Sequence, residues 1–127
     1  MLQFLMTQIA KLKAAIATIS AKVAYESVAI TAKEGYTIPM NRSFKVGSAI
    51  FVICYISKDE GTIGTSWETV ANITGLTLGA SMIGAGACNG AKDVSRVEIQ
   101  TNGDIAIQAI SASTATGMFV NMCVGKL

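Results

Sequence analysis

Residues Met1–Ala24 read MLQFLMTQIAKLKAAIATISAKVA, with apolar side chains recurring at alternating steps of three and four residues. Alternating steps of this kind make a heptad repeat, which is typical of a coiled coil. The predicted seam has Leu2, Ile9, Ile16 and Val23 at its a positions and Leu5, Leu12 and Ile19 at its d positions. So narrow a stripe suits another copy of the same helix better than a globular core. We therefore predict a coiled-coil stalk over residues 1–24, with an amphipathic helix docked on its own domain as the alternative.

The residues of the seam also bear on the number of helices in the assembly. Ile at a with Leu at d favours two strands, whereas Ile at both positions favours more, and the d positions here mix the two. The flanking e and g positions hold no Glu–Lys pair, and several are small or apolar, which widens the buried stripe. We expect a homotrimer, with a dimer as the alternative.

The composition points to the same conclusion. Charged residues make up 14% of the 127 residues and hydrophobic residues 51%, against about 25% charged in an ordinary soluble domain. Burial between subunits would cover the excess apolar surface. The longest apolar run, Ala49–Ile56, is shorter than the ~20 residues of a spanning helix, so we expect no membrane insertion. The positive charges of Lys11 and Lys13 follow apolar residues instead of preceding them, which is unlike a signal peptide.

Several classes of function are disfavoured. The net charge is only +2 and basic residues do not cluster with aromatic ones, so we expect no nucleic-acid partner. The chain has no histidine, and Cys54, Cys88 and Cys123 lack paired spacing, so we expect no metal site, no cofactor and no Cys–His nucleophile. All three thiols are predicted to be reduced and in or near the core. Asp59 and Glu60 are the one adjacent carboxylate pair, and sequence neighbours point apart, so we expect no catalytic residues and no enzyme.

After residue 24 the apolar period changes to two, which predicts strands. Glycines in the run Gly79–Gly90 are interpreted as sites of bulges or close chain approach. Many short strands, Gly-rich turns and no second helix predict a mostly β chain, whose residues 25–127 form an antiparallel, jelly-roll-like β-sandwich head. The predicted strands are Tyr25–Ala32, Tyr36–Met40, Phe44–Ser57 with a break at Gly47, Trp67–Thr74 and Met118–Val124, together with a hairpin over Val94–Ile110.

The strand within Phe44–Ser57 is apolar on both faces. One face carries Ile50, Val52, Cys54 and Ile56, and the other carries Phe51, Ile53 and Tyr55. A strand that is buried on both sides in so small a domain predicts a core on one face and a subunit interface on the other.

The predicted hairpin has a specific register. A two-residue Asn102-Gly103 turn would place Val97 opposite Gln108 and mix the two faces. A three-residue loop, Thr101-Asn102-Gly103, instead pairs Ile99 with Ile105 and Val97 with Ile107, and it puts glycine at the left-handed third position. We therefore predict the three-residue loop.

The layout as a whole resembles the distal part of bacteriophage tail fibres and receptor-binding proteins. The resemblance is carried by the heptads Leu2–Val23, the Tyr25–Ala32 segment, Gly35-Tyr36-Thr37-Ile38-Pro39 and the run Trp67–Leu78. Trimeric jelly-roll heads of the C1q/TNF-like group share the architecture. The resemblance implies a homotrimer on a virion, made in the bacterial cytoplasm without a signal peptide, whose head contacts a host-surface saccharide or protein. A purely structural virion or fibre component is the second interpretation, and a C1q/TNF-like trimeric binding module is a further alternative.

The expected binding surface lies at the end of the head away from the stalk, because that end is free to meet a target and loops carry recognition. Trp67 could supply a stacking face, with a role as a core anchor as the alternative. For the loops as a whole, the alternative is that their polar side chains simply keep the head soluble. The candidate ligand-binding residues, in the loops 58–67 and 89–93, are Trp67, Asp59, Glu60, Asn89, Lys92 and Asp93.

Overall fold

A computed structural model describes residues 1–22, 25–89, 94–112 and 114–125. Within them, one N-terminal helix is followed by antiparallel strands, so the predicted mostly β fold is confirmed. The elements are α1 (Leu2–Lys22), β1 (Tyr25–Ser27), β2 (Ile30–Ala32), β3 (Tyr36–Asn41), β4 (Phe44–Val46), β5 (Ala49–Lys58), β6 (Glu68–Ile73), β7 (Met82–Cys88), β8 (Val94–Ile99), β9 (Asp104–Ala109) and β10 (Gly117–Gly125).

The helix α1 confirms the helical part of the predicted stalk. It contains no glycine or proline and is rich in alanine, which favours the helical backbone. At about 1.5 Å per residue it is roughly 30 Å long. The side chains of residues 1–20 are all exposed, so α1 is not docked on its own head, which was the alternative. Val23, the last predicted seam residue, lies outside the described residues.

The strands form one ten-stranded sheet in the order β1-β4-β5-β10-β7-β8-β9-β6-β2, and β3 pairs with β5 beside β4. The sheet curls on itself. β2 is the last strand of the order, and the turn after it leads directly into β3, which pairs with β5 near the other end of the order. The two ends of the sheet therefore lie side by side. Side chains from β5, β6, β8, β9 and β10 fill the concave side as one core. The described strands are thus continuous in a single curled sheet.

The strand registers define two ends of the head. Tyr25 pairs with Val46, and Gly125 pairs with Ala49, so these residues share the end at which the chain leaves the stalk, here called the stalk end. At the opposite end, here called the remote end, Gly117 lies beside Ser57. The described segments at the remote end are the turn 33–35, the loop 58–67, residue 89, residues 110–112 and residues 114–116.

The strand β5 has the predicted pattern of burial. Ile50, Val52, Cys54 and Ile56 are buried, and the residues between them are half-buried on the outer face. The predicted break at Gly47 separates β4 from β5. The prediction of a core on one face of this strand is therefore confirmed.

The predicted hairpin is also confirmed. β8 pairs with β9 so that Ile99 lies opposite Ile105 and Val97 opposite Ile107. Gly103 has φ +85, and an added Cβ there would lie 2.7 Å from the carbonyl oxygen of Ile73. Glycine is required at this position both for its left-handed backbone and for close approach to the neighbouring chain.

The prediction of one strand over Tyr25–Ala32 is wrong. The segment divides into β1, which pairs with β4, and β2, which pairs with β6. Between them the Val28 N–H donates to the Ser43 carbonyl, while the Ala29 carbonyl accepts from the Thr74 N–H. The chain therefore crosses from one flank of the curled sheet to the other at this point, which an alternating apolar pattern does not reveal.

Two smaller expectations also change. Cys54 is buried and Cys88 is half-buried, as expected, but Cys123 is exposed because it faces outward from β10. All three are free thiols. The glycine-rich run contains a strand, β7, that we did not predict. Its glycines do permit close approach, since Gly86 lies against the Met118 side chain.

Candidate functional site

The first candidate functional surface is the seam of α1. The described seam residues, from Leu2 to Ile19, are each between 51% and 73% exposed. Isolated apolar side chains on a surface are ordinary, but a contiguous row of this length marks an interaction surface. Its heptad spacing is the pattern of helices that pack knobs into holes against a similar helix.

The second candidate is a surface cavity of about 360 Å³ at the remote end. Its size is within the range of about 300–1,000 Å³ for small-molecule sites. Four of its residues carry carboxylates and one carries an ammonium group, so the cavity offers mainly hydrogen-bond acceptors. The lining residues are Glu34, Gly35, Tyr36, Lys58, Asp59, Glu60 and Glu68.

Backbone hydrogen bonds hold the loop 58–67 in place. The Asp59 N–H donates to the Gly35 carbonyl, and the Ile63 N–H donates to the Ala115 carbonyl while the Ile63 side chain is buried in the core. The Ala109 N–H donates to the Gly64 carbonyl. The carboxylates of the loop therefore stand on a fixed backbone, which lowers the entropy that ligand binding would cost.

A charged cluster forms the floor of the cavity. Lys58 Nζ lies 3.1 Å from Glu68 Oε2 and 5.6 Å from the centroid of the Tyr36 ring. The Tyr36 side chain is only 6% exposed, and its buried hydroxyl lies close enough to Glu68 to stabilise the charge of that carboxylate but makes no hydrogen bond of ordinary length and angle among the described residues. An unpaired buried hydroxyl is a costly feature that a polar ligand or a water could relieve.

The pKa values in this cluster are shifted. Burial raises the pKa of Tyr36, and the nearby Glu68 carboxylate raises it further. The pKa of Glu68 lies below its ordinary value because the Tyr36 hydroxyl and then Lys58 stabilise its charge, against the opposing effect of burial. Both effects keep Glu68 ionised and Tyr36 neutral at neutral pH.

The structure brings only some of the predicted ligand-binding residues together. Asp59 and Glu60 line the cavity, whereas Trp67 does not, although it lies at the same end directly before Glu68 and is 40% exposed. Trp67 is therefore a surface residue and not a core anchor. Lys92 and Asp93 lie outside the described residues.

Asn89 has structural contacts. Its Oδ1 accepts from the N–H groups of Thr116 and Gly117 at 3.1 and 2.9 Å, and its Nδ2 donates to Thr116 Oγ1. The side chain thus joins the end of β7 to the start of β10 and holds the remote end together.

Glu34, Tyr36, Lys58 and Glu68 were not among the candidate ligand-binding residues. Tyr36 was expected in the core or at an interface, and it is in the core. The approach of the turn 33–35 to residue 59 depends on how the sheet curls. No local pattern in the sequence signals that approach.

Two further cavities, of about 370 and 320 Å³, adjoin at the stalk end. They share Lys45, Ile50, Gly75 and Leu76, and apart from Lys45 only Glu26 brings a charge. In the described part of the chain no three His, Cys, Asp or Glu side chains are grouped to hold a metal ion. The described helix is not long and apolar enough to cross a membrane.

The chain matches no protein-family model, and comparison with curated proteins and with solved structures gives no significant match.

Proposed function

We propose that the chain is the stalked, homotrimeric head of an attachment protein of the bacteriophage tail-fibre kind. It is carried on the virion and contacts a host-surface saccharide. The observation that carries the proposal is the exposed seam of α1, whose apolar side chains have no cover among the described residues. A helix with this pattern assembles copies of its own chain, and a stalk that gathers copies is the architecture of a multivalent binder.

We further propose that the curled sheet is a jelly-roll-like sandwich. Val52 and Val120, from β5 and β10, share one apolar core with Val70 and Ile107, from β6 and β9. Two walls of strands that face each other across a shared core are the defining feature of a sandwich.

The remote end is the proposed recognition surface. Carboxylate oxygens of Asp59 and Glu60 accept hydrogen bonds from sugar hydroxyls, and an exposed indole such as Trp67 offers an apolar face to a sugar ring. One shallow site of this kind binds weakly. Three copies on one stalk multiply the effective affinity without any new contact.

A purely structural fibre component is the second candidate, and one observation favours it. Polar side chains at the remote end are already engaged within the chain, as with Lys58 on Glu68 and Asn89 on β10. Such pairing satisfies the surface without any ligand.

The two candidates differ in their behaviour on a printed array of bacterial surface saccharides. The native chain is compared with Trp67→Ala, Asp59→Ala and Lys92→Ala, the last because the sequence puts Lys92 in the second predicted loop. Arg42→Ala, an exposed charge outside the remote end, is the matched control. Attachment predicts binding by the native chain and by the control, with at least a roughly tenfold loss, about 1.4 kcal/mol, in one of the three variants.

Light scattering coupled to size exclusion checks the assembly of every variant. A native chain that binds no saccharide supports the structural component. Unchanged binding in all three variants, with the assembly intact, removes this surface from consideration. A monomeric native chain at micromolar concentration refutes the stalk itself.

A further inference from the structure

The outer face of the sheet carries two rows of aromatic side chains, one near the stalk end and one toward the remote end, and these rows with the smaller side chains between them are called the outer aromatic face. In the first row the Tyr25 ring stacks on Phe44 at 5.1 Å between centroids, and Phe44 stacks on Phe51 at 4.8 Å. In the second, Tyr55 meets Phe119 at 4.6 Å. The face spans β1, β4, β5, β10 and β7, and its other members are Ile53, Asn121, Cys123, Ala87, Ala85 and Ile83.

This face is open, and its own members carry no charge; Arg96 and Glu98 of β8 border it, opposite Ala85 and Ile83. Tyr25, Ile83 and Phe119 are exposed, and no described segment of the chain lies over them. The outward residues of β5 and β10 include no acid or base between Phe51 and Tyr55 or between Phe119 and Cys123. Contiguous apolar surfaces of this kind are interaction sites.

We propose that the outer aromatic face is the surface through which the heads of neighbouring copies of this chain pack against one another. The inference rests on the proposed assembly through the stalk and adds to it the part of the head that takes part. The occupant of the face is thus a second copy, which brings its own outer aromatic face.

The position of the face relative to the stalk supports a second copy of the chain as the partner. Tyr25 is the first described residue after α1, and its ring begins the first row. Helices in a coiled coil lie about 8–10 Å apart, so a stalk that assembles brings the Tyr25 ends of the copies together. The chain then supplies the face with a partner at high effective concentration.

The apolar chemistry of the face favours a partner surface that is also apolar. A charged partner surface would lose its hydrating water on this face and find no opposite charge among the members of the face, which costs free energy. The remote end of the chain carries Glu34, Asp59 and Glu60 and is unsuited to the role. The face itself is apolar and aromatic, as the centres of subunit interfaces are.

The area of the face explains why the stalk is needed as well. Five strands about 4.8 Å apart and about six residues long cover roughly 500 Å², whereas a stable interface buries about 800 Å² per partner. Neither the short stalk nor this face is large alone. Together they make an interface of ordinary size.

The test uses the full chain and isolates the head by weakening the stalk. Ile9→Asn with Ile16→Asn puts polar groups on the seam without disturbing the head. Into this background we place Phe119→Lys on the outer aromatic face or Ile110→Lys outside it. The two sites are equally exposed, at 48% and 52%, so they differ in location and not in burial. Oligomeric mass is measured by light scattering at micromolar concentration.

The proposal expects the stalk variant to associate more weakly than the native chain but still through the head, the added Ile110→Lys to leave its dissociation constant unchanged, and the added Phe119→Lys to raise that constant at least about tenfold. Cys123→Lys, at another exposed position on the face opposite Phe51, gives the same result should Phe119→Lys fail to fold by circular dichroism. A stalk variant that stays monomeric at every protein concentration measured, or equal effects of the two lysines, overturns the proposal.

Two outcomes separate this inference from the proposed function. A native chain that is monomeric refutes the assembly as a whole. In the chain with the native stalk, Phe119→Lys could instead leave the oligomeric mass unchanged and abolish saccharide binding. That result would assign the face to a host ligand and overturn its role between copies.

Discussion

Lys58 Nζ lies 3.1 Å from Glu68 Oε2, and this contact joins two strands that are not neighbours in the sheet. Lys58 ends β5 and Glu68 begins β6, on opposite flanks of the curl. The Tyr36 ring, with Lys58 over it, lies between the same two flanks. The pair therefore connects the flanks of the curled sheet at its remote end, where the candidate cavity opens.

Lys58→Met is expected to raise the pKa of Glu68 toward its ordinary value while keeping much of the apolar stem over Tyr36. Since Lys58 helps to lower this pKa, its charge contributes stability above the ordinary pKa of a glutamate, about 4.3, and the contribution is lost as the pH falls through the shifted value. The loss at neutral pH is at most about 1 kcal/mol, because the pair is partly exposed to water. An NMR titration of the Glu68 carboxyl measures the shift.

Lys33→Met is the control for this experiment, since Lys33 pairs with Asp104 at 3.7 Å and not with Glu68. The control should leave the Glu68 titration where it is in the native chain. If Lys58→Met leaves it there too, Lys58 does not stabilise the Glu68 charge.

Tyr36→Phe is expected to change the free energy of unfolding by less than about 1 kcal/mol at neutral pH, because removing a buried hydroxyl without a well-formed hydrogen bond offsets the loss of its stabilising effect on the Glu68 charge. Denaturant titration measures the free energy of unfolding. The same substitution should lower saccharide binding if the ligand uses this hydroxyl. A destabilisation of more than about 1 kcal/mol would contradict the absence of a partner.

Tyr36 also makes the stability of the fold depend on pH in the alkaline range. Its folded pKa is raised above the ordinary 10.0, so its contribution to stability is complete below pH 10.0 and is lost as the pH rises further. Burial raises the pKa of Cys54 to about 12, which acts in the same direction from its ordinary 9.0. Tyr36→Phe should therefore lose less stability than the native chain between pH 10.0 and about 11.

The parts of the fold that local pattern determines could be predicted from the sequence. The hairpin register followed from the parity of Val97, Ile99 and Ile105 together with the place of Gly103, all within one short segment. The burial of β5 followed from its own alternation. The alternation of side chains between the two faces is a property of a single strand, so it can be predicted without knowing which strand pairs with it.

Features that depend on the curl of the sheet could not be predicted. Val28 and Ala29 bond to opposite flanks, although the segment around them alternates like one strand. The cavity joins the turn 33–35 to residues 58–60 and 68, which are distant in sequence. Cys123 follows an apolar pattern yet faces outward, because the apolar residues of β10 lie on both of its faces.

Gly86→Ala should destabilise the chain by about 1–3 kcal/mol through overpacking. A Cβ at Gly86 would contact the buried Met118 side chain and lie 2.9 Å from Val97 Cγ2. Gly64→Ala is the matched control, because open space surrounds that site and its φ is not positive. The control should change stability by less than about 0.5 kcal/mol or increase it slightly. Equal thermal midpoints for the two variants would show that β7 does not approach the core as closely as the structure indicates.

The stalk provides the last prediction. Leu12 and Phe4 are apolar, exposed residues of α1, but only Leu12 lies on the seam. In an isolated chain neither side chain is buried, so Leu12→Ala and Phe4→Ala should both leave the fold of the monomer unchanged. In an assembly, a seam leucine is a knob in a hole of the facing helix, and its truncation removes buried contacts worth about 2–5 kcal/mol at a fully buried site. Leu12→Ala should therefore dissociate the assembly at higher protein concentration than Phe4→Ala, as measured by sedimentation equilibrium. Matching dissociation curves for the two variants would mean that the copies do not meet through the predicted seam, and a native chain that sediments as a monomer would mean that they do not meet at all.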